Sequence, residues 1–399
     1  MLKAKNIIMF IGIQIILVSS YNAASSEDFH INEKGESHIH GVHKECVLPK
    51  MTMDIVNCAL GFHPKVKRAK LEINSAIKLE EKASQIPNPS LSSRYVEGAV
   101  NGESVSELEA NLNFTLELGA KRSARKNFAQ ANKLNIMAMS EITRTDIKVN
   151  TIINLYRLRQ VLTERKIVKE TLRAFLKVIT QLKKIPRLSA EKEASLILFE
   201  MAYEELRINE SEVFEEEREL EHYFHIATGH SLEELERFLP KIEQEWPNIN
   251  IDHKGRSSLE IKKLESLSLL AQNELEVQES NAWPDLKIGP SIAIERDGEV
   301  ENQMVGLNIH IPLPLFQLNG GGKGYARAEL IRAKRNVAFS QAEENHERLE
   351  QLKIYESSVQ ILSKTIRQSV IVKKQKRMEK LYLRGVISSS VFLLSLIHI

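Results

Sequence analysis

The run HIHGVHKEC places His38, His40, His43 and Cys46 close together, with His30 upstream and His63 downstream. Imidazole and thiolate ligands suit copper, zinc or related ions. An arm carrying them could capture a soft cation from solution. The competing reading is a His-rich arm with no specific site. The run GGGKG at 320–324 raises a second possibility, a phosphate loop. That motif needs Gly, four residues, then Gly-Lys-Ser/Thr. Position 317 is Gln and Gly324 follows Lys323, so the run reads instead as a flexible elbow between a strand and a helix. Lys323 and Arg327 would flank it, as Lys121, Arg122 and Arg125 flank a matching elbow in the first half. EVFEEERELE (212–221) reads as a solvated helix face. No Ser-His-Asp or paired-carboxylate arrangement stands out, so the chain reads as a non-enzyme with no cofactor.

The elements that must position these residues are mostly helical. The 399 residues carry 55 basic and 53 acidic side chains, a net charge of +2. That balance argues against a dedicated nucleic-acid binder. Abundant Leu, Ile, Glu, Lys and Ala suit long helices. Lys3 and Lys5 precede an apolar run, Ile7 to Ser20, followed by small residues Ala23 to Ser25. Residues 1–25 therefore read as an export signal peptide, and 26–50 as the His-rich arm. After export the two cysteines, Cys46 and Cys58, could pair and close a small loop. Alternatively Cys58 is a small buried hydrophobe on a helix.

Residues 51–86 read as helix, with Pro64 interrupting it or starting a second piece. A hairpin spans 88–118, weak in PSLSSRYVEGAV and strong in LEANLNFTLEL. Leu108, Ala110, Leu112, Phe114, Leu116 and Leu118 alternate there with polar residues, the period of a half-buried strand. Helical pattern runs over 120–184, roughly 100 Å at 1.5 Å per residue. Leu155, Leu158 and Leu162, then Leu172, Phe175, Ile179 and Leu182, carry heptad-like spacing. Ser189 is a candidate cap for a return helix over 190–226. An irregular segment covers 227–256. Helix resumes at 257, and a second hairpin spans 284–316. It places Val305, Leu307, Ile309, Ile311, Leu313 and Leu315 on one face. A helix over 325–383 closes the pattern.

The chain is thus a duplication, first repeat 51–226 and second repeat 257–399, with Pro89 and Pro284 opening the hairpins 195 residues apart. The second return helix barely begins at Ser388, so the sequence reads as C-terminally truncated. Four strands cannot close a barrel alone, and open edges in lipid leave backbone groups unpaired. If the strands span a membrane, several subunits must share one barrel. One face would then meet lipid, through Leu108, Ala110, Leu112, Phe114, Leu116, Val305, Leu307, Ile309 and Ile311, and the other a polar lumen. The soluble alternative is a small sheet buried against protein and joined to a coiled coil.

MTMDIVNCALGFHPKVKRAK, the Asn88-Pro89 entry, the LELGAKR exit (116–122), and IPLPLF (311–316) with its Gly-rich exit carry a resemblance. The chain resembles the TolC-like outer membrane efflux protein family from about Thr52 onward, and in the second hairpin its heavy-metal branch typified by CzcC and CusC. The resemblance implies a mainly α fold with β, built from duplicated helix, β-hairpin and long-helix units. It implies a homotrimer with a shared twelve-stranded barrel in outer membrane lipid and a periplasmic α-helical barrel. It also implies docking to a periplasmic adaptor and an inner-membrane RND-type pump. The implied function is a passive exit duct for heavy-metal cations; the alternatives are multidrug or other export, or a periplasmic coiled-coil adaptor or scaffold. The helix tips would meet the adaptor, through Arg187, Leu188, Ser189, Ile387 and Ser388.

Overall fold

A computed structural model describes residues 46, 49–100, 103–241, 246–249, 258–298, 300–365 and 368–397. The fold is mainly α with one small sheet. The signal-peptide segment and His30, His38, His40 and His43 lie outside the described residues.

Two short helices open it, α1 (Thr52–Phe62) and α2 (Pro64–Ala83). The Asp54 carboxylate accepts the backbone N–H groups of Lys50 and Met51 at 2.9 and 3.1 Å, which fixes the start of α1. Pro64 does not kink one long helix. It occupies the first position of α2, where its missing N–H costs nothing. His63 caps that helix, its Nδ1 accepting the Lys65 N–H at 3.1 Å. Burial, and then the nearby Lys65 charge, holds the His63 imidazole below its ordinary pKa of 6.5. The native state therefore favours neutral His63. Its contribution to stability is full above pH 6.5 and declines as pH falls through the lowered folded value. His63→Asn keeps a cap acceptor and removes the titration. Thermal melts between about pH 7 and pH 5 should show a smaller loss of Tm in the Asn variant. An unchanged loss would assign the acid sensitivity elsewhere.

The long helix α3 runs Lys121–Lys183 without a break. Ser189 then caps the return helix α4 (Ala190–Thr228), its hydroxyl accepting the Lys192 N–H. Gly229, at φ 78°, ends α4 in the left-handed conformation that glycine adopts without strain. A short α5 (Leu232–Leu235) follows. Ile55 and Val56 of α1 insert between α3 and α4, against Leu155, Leu158, Val161, Leu220 and Phe224, with Leu232 and Leu235 closing the cluster. The heptad-like leucines Leu155 and Leu158 are thus fully buried. Polar clamps flank this core. Arg157 grips Glu216 and Glu164, and Arg165 grips the buried Glu217.

The second half repeats the plan: α6 (Leu259–Ser280), a hairpin, then α7 (Gly320–Lys364), α8 (Gln368–Leu383) and α9 (Ser389–Ile397). α7 packs along α6, which packs along α3. Its other faces leave Ile331, Phe339, Ile354 and Ile361 exposed. Among the described residues no helix is long and apolar enough to cross a membrane.

Four strands form one antiparallel sheet in the order β1 (Ser90–Val100), β2 (Glu103–Leu116), β3 (Leu286–Asp297) and β4 (Val300–His310). The two hairpins therefore join through β2 and β3, with Leu108 opposite Ile294 and Leu116 opposite Leu286. β4 is shorter than its apolar alternation suggests. It ends at His310, so Ile311, Leu313 and Leu315 lie past the strand. Pro312 and Pro314 preserve the alternation of side chains but have no N–H to give a ladder.

Candidate functional site

The sheet sorts its side chains by chemistry. The register carries Leu91, Leu112, Pro290 and Leu307 across all four strands in one row. Rows on either side add Ala110, Ile292 and Val305, then Phe114, Ile288 and Ile309, on the same face. This face is uncovered, with Val305 83% and Leu307 63% exposed. Leu108, Phe114 and Leu116 are exposed beside them. Ile311 is exposed too, but just beyond β4 rather than within it. A contiguous bare apolar face marks a site of contact with a partner or with lipid.

The opposite face is polar. Asn111, Asn113 and Thr115 of β2 share it with Ser291 of β3 and Gly306 and Asn308 of β4. Asn308 Nδ2 donates to Asn113 Oδ1 at 3.2 Å, although β3 runs between their strands. The two residues are 195 apart, the interval that separates Pro89 from Pro284. They meet because the intervening residue is Gly289. A Cβ built there would lie 1.7 Å from the Leu112 carbonyl oxygen, so only glycine admits this strand spacing. Pro290 next to it lacks an N–H, and the β2–β3 ladder skips this point. A glycine inside a strand pattern signals close backbone approach, but the strand it meets is far away in the sequence.

The elbows between sheet and helices are fastened by their cations. Ala120 and Asn319 both take the left-handed conformation, φ 58° and 54°, immediately before α3 and α7. Lys121 Nζ lies 2.6 Å from Asp285 Oδ1, which ties the first elbow to the entry of the second hairpin. Arg125 pairs with Glu117 and donates to the Gln85 carbonyl. Arg122 donates to the Ser84 carbonyl at 2.8 Å. Gly119 sits under the Trp283 ring, where any Cβ would come within 2.4 Å of Cδ1. The second elbow differs from the expectation. GGGKG is not a loop but the first turns of α7, which begins at Gly320 rather than near Tyr325. The turn itself is made by Asn319, whose Nδ2 donates to the Gln278 backbone carbonyl and to Gln278 Oε1 at 2.8 and 2.9 Å. Arg327 reaches Glu279 at 3.6 Å.

The far end of the helices brings both turns together. Phe175, Val178, Ile179 and Leu182 of α3, Phe199 of α4 and Phe392 of α9 form one core there. The Tyr382 and Phe392 rings stack at 4.6 Å, and Phe199 meets both at a tilt. Ile387 packs against this core. Arg187, Ser189 and Ser388 are exposed around it, and Leu188 is half-buried. Of His38, His40, His43 and Cys46, Cys46 alone is described; His63 caps α2. Cys46 forms a disulfide with Cys58, with Cα atoms 5.9 Å apart, within the usual range for such a bridge.

No family model matches the sequence, and no curated protein matches it. Solved structures do. The CmeC outer membrane channel of Campylobacter jejuni superposes with a TM-score of 0.63 at 13% identity, covering 86% of this chain and 79% of that one. CusC gives 0.58 at 12% identity, over 92% and 89% of the two chains. The open-state MtrE outer membrane channel of Neisseria gonorrhoeae gives 0.59 at 11% identity, over 86% and 82%. With its duplicated hairpins joined into one sheet and its long paired helices, the chain has the TolC-like fold of the outer membrane channels.

Proposed function

We propose that this protein is the outer membrane duct of a tripartite efflux system, a passive pore driven by an inner-membrane pump through a periplasmic adaptor. The observation that carries the reading is the four-stranded sheet. One face is bare and apolar, the other is polar, and β1 and β4 are left as open edges among the described residues. Lipid excludes unpaired edges, so the edges pair with those of neighbouring copies. Three copies bring twelve strands, and the exposed apolar positions of α7 then face neighbouring helices in a periplasmic tunnel. Asn111, Asn113 and Thr115 face the lumen. Heavy-metal cations are the cargo this reading favours, on the likeness of the second hairpin to the metal-efflux branch.

The test is direct. The protein extracted from the outer membrane in detergent should migrate as a heat-modifiable trimer and conduct ions in planar bilayers. A protein recovered in the periplasmic soluble fraction without detergent would support the adaptor or scaffold reading instead. Complementation of an efflux-deficient strain then assigns the cargo, metal tolerance for one branch and drug tolerance for the other.

The tip supplies a separate prediction. Leu188 is half-buried beside exposed Arg187 and Ser189. Leu188→Asp should impair efflux while leaving outer membrane abundance and trimer migration unchanged. Unaltered tolerance in that variant would remove the tip from the docking surface.

A further inference from the structure

One cluster serves neither the sheet nor the tip. Cys46, Cys58 and His230 each offer a ligand atom, and these three atoms lie within 4.8 Å of one another. Cys58 is buried on α1, Cys46 lies on the segment leading into it, and His230 sits in the turn between α4 and α5. The imidazole is held from behind. Its Nδ1 lies 3.3 Å from Glu234 Oε2, and the same carboxylate oxygen accepts the Ser231 N–H at 2.9 Å. In neutral His230 the ring proton therefore belongs on Nδ1, and the Nε2 lone pair points elsewhere. Nε2 is buried and has no hydrogen-bond partner. An unsatisfied buried acceptor is destabilising. A carboxylate behind an imidazole whose other nitrogen is free is the arrangement that orients metal-ligating histidines.

In the structure the two sulfurs are joined, and in that form they are poor ligands. We propose that the cluster is a redox-gated site for one thiophilic metal ion, Cu(I) or Zn(II), held in the dithiol state by Cys46, Cys58 and His230 Nε2. Opening it requires a dithiol reductant. That donor gives two electrons and two protons, the Cys46–Cys58 bond breaks to two thiols, and the donor becomes a disulfide. Metal binding then displaces both thiol protons. The reduced state has a resting partner, since Cys58 Sγ lies 3.6 Å from the Thr228 carbonyl oxygen. Two thiolates and an imidazole select soft ions over magnesium or calcium. Three protein ligands leave a position open, unlike a closed four-ligand structural site. A disulfide oxidant closes the site: it takes two electrons from the Cys46 and Cys58 thiolates and two protons from solvent, becomes a dithiol, and the re-formed Cys46–Cys58 bond releases the ion. The inference rests on this cluster and not on the channel reading.

The test uses the full chain in detergent, with His30, His38, His40 and His43 replaced by Ala so that the arm does not compete. After phosphine reduction and removal of the reductant, Zn(II), or Cu(I) under anaerobic conditions, is titrated against a chromophoric competitor. One ion should bind per reduced chain and none per oxidised chain. Co(II) should give a thiolate charge-transfer band. His230→Ala should weaken binding at least tenfold, and Glu234→Gln by about tenfold through the loss of the carboxylate behind the ring. The site is overturned if the reduced chain takes up no metal. It is equally overturned if Cys46→Ser binds as well as its parent, or if reduced and oxidised chains bind alike. The comparison of redox states needs no substitution in the cluster, so it remains decisive if a variant folds poorly.

Discussion

Replacing Gly289 with alanine should collapse the yield of folded, heat-modifiable protein, whereas Gly98→Ala should leave it unchanged. Both glycines lie within strands, and composition does not distinguish them. Geometry does. A methyl group on Gly289 would sit 1.7 Å from the Leu112 carbonyl oxygen, which is backbone and cannot rotate away. A methyl group on Gly98 meets Val105 Cγ2 at 4.0 Å, an ordinary contact. To admit the methyl group, β2 and β3 must separate where the two hairpins join. That breaks ladder hydrogen bonds on either side and pulls Asn113 away from Asn308. The cost is on the order of 4 kcal/mol or more, in the range reserved for core disruption, against about 0.5 kcal/mol for the control. The readout is the fraction of each variant that runs as a slow trimer band before boiling and as monomer after it. Equal fractions for the two variants would show that the strands do not approach each other so closely.

The contrast also marks where sequence reasoning reached its limit. The sheet and the long helices were legible because each has a period. Leu108 to Leu118 alternate at two, and Leu172, Phe175, Ile179 and Leu182 recur at three and four. The same signal overreached in IPLPLF, because proline keeps the alternation while removing the donor that a strand requires. It underreached in SLSSRYVEGAV, a polar sequence that forms β1 because β2 supplies a complete partner. GGGKG read as a loop on composition, yet it is helical, since one left-handed residue, Asn319, makes the whole turn. The contacts that matter most were invisible for a different reason. Gly289 meets Leu112, Gly119 meets Trp283, and His230 comes to Cys46 and Cys58, each across more than 160 residues of chain. Such pairs follow from the register and from helix docking, which local patterns do not encode. The sequence offers Cys46 both to the preceding histidines and to Cys58; the structure joins it to Cys58 and sets both beside His230.

Leu307→Arg should block assembly in the membrane, and Leu307→Trp should not. Leu307 is central in the apolar row that crosses the sheet through Leu91, Leu112 and Pro290, and it is 63% exposed. If that face meets hydrocarbon, arginine near the bilayer midplane costs about 2–4 kcal/mol per subunit. A trimer meets that penalty three times. Tryptophan is larger than leucine but equally at home in lipid, which has no fixed shape to clash with. If the face instead packed against protein, the same enlargement would overfill a close-packed core at about 1–3 kcal/mol. Ser291→Arg is the internal control. It lies beside Pro290 on the opposite, polar face, across from Gly306, the face that the proposed trimer turns toward its lumen. It should assemble normally and shift the pore toward anions by adding a ring of positive charge. Urea titration of the folded species in detergent-free vesicles orders the three variants. A loss of stability in Leu307→Trp as large as in Leu307→Arg would return this sheet to a protein core and remove the membrane from the account.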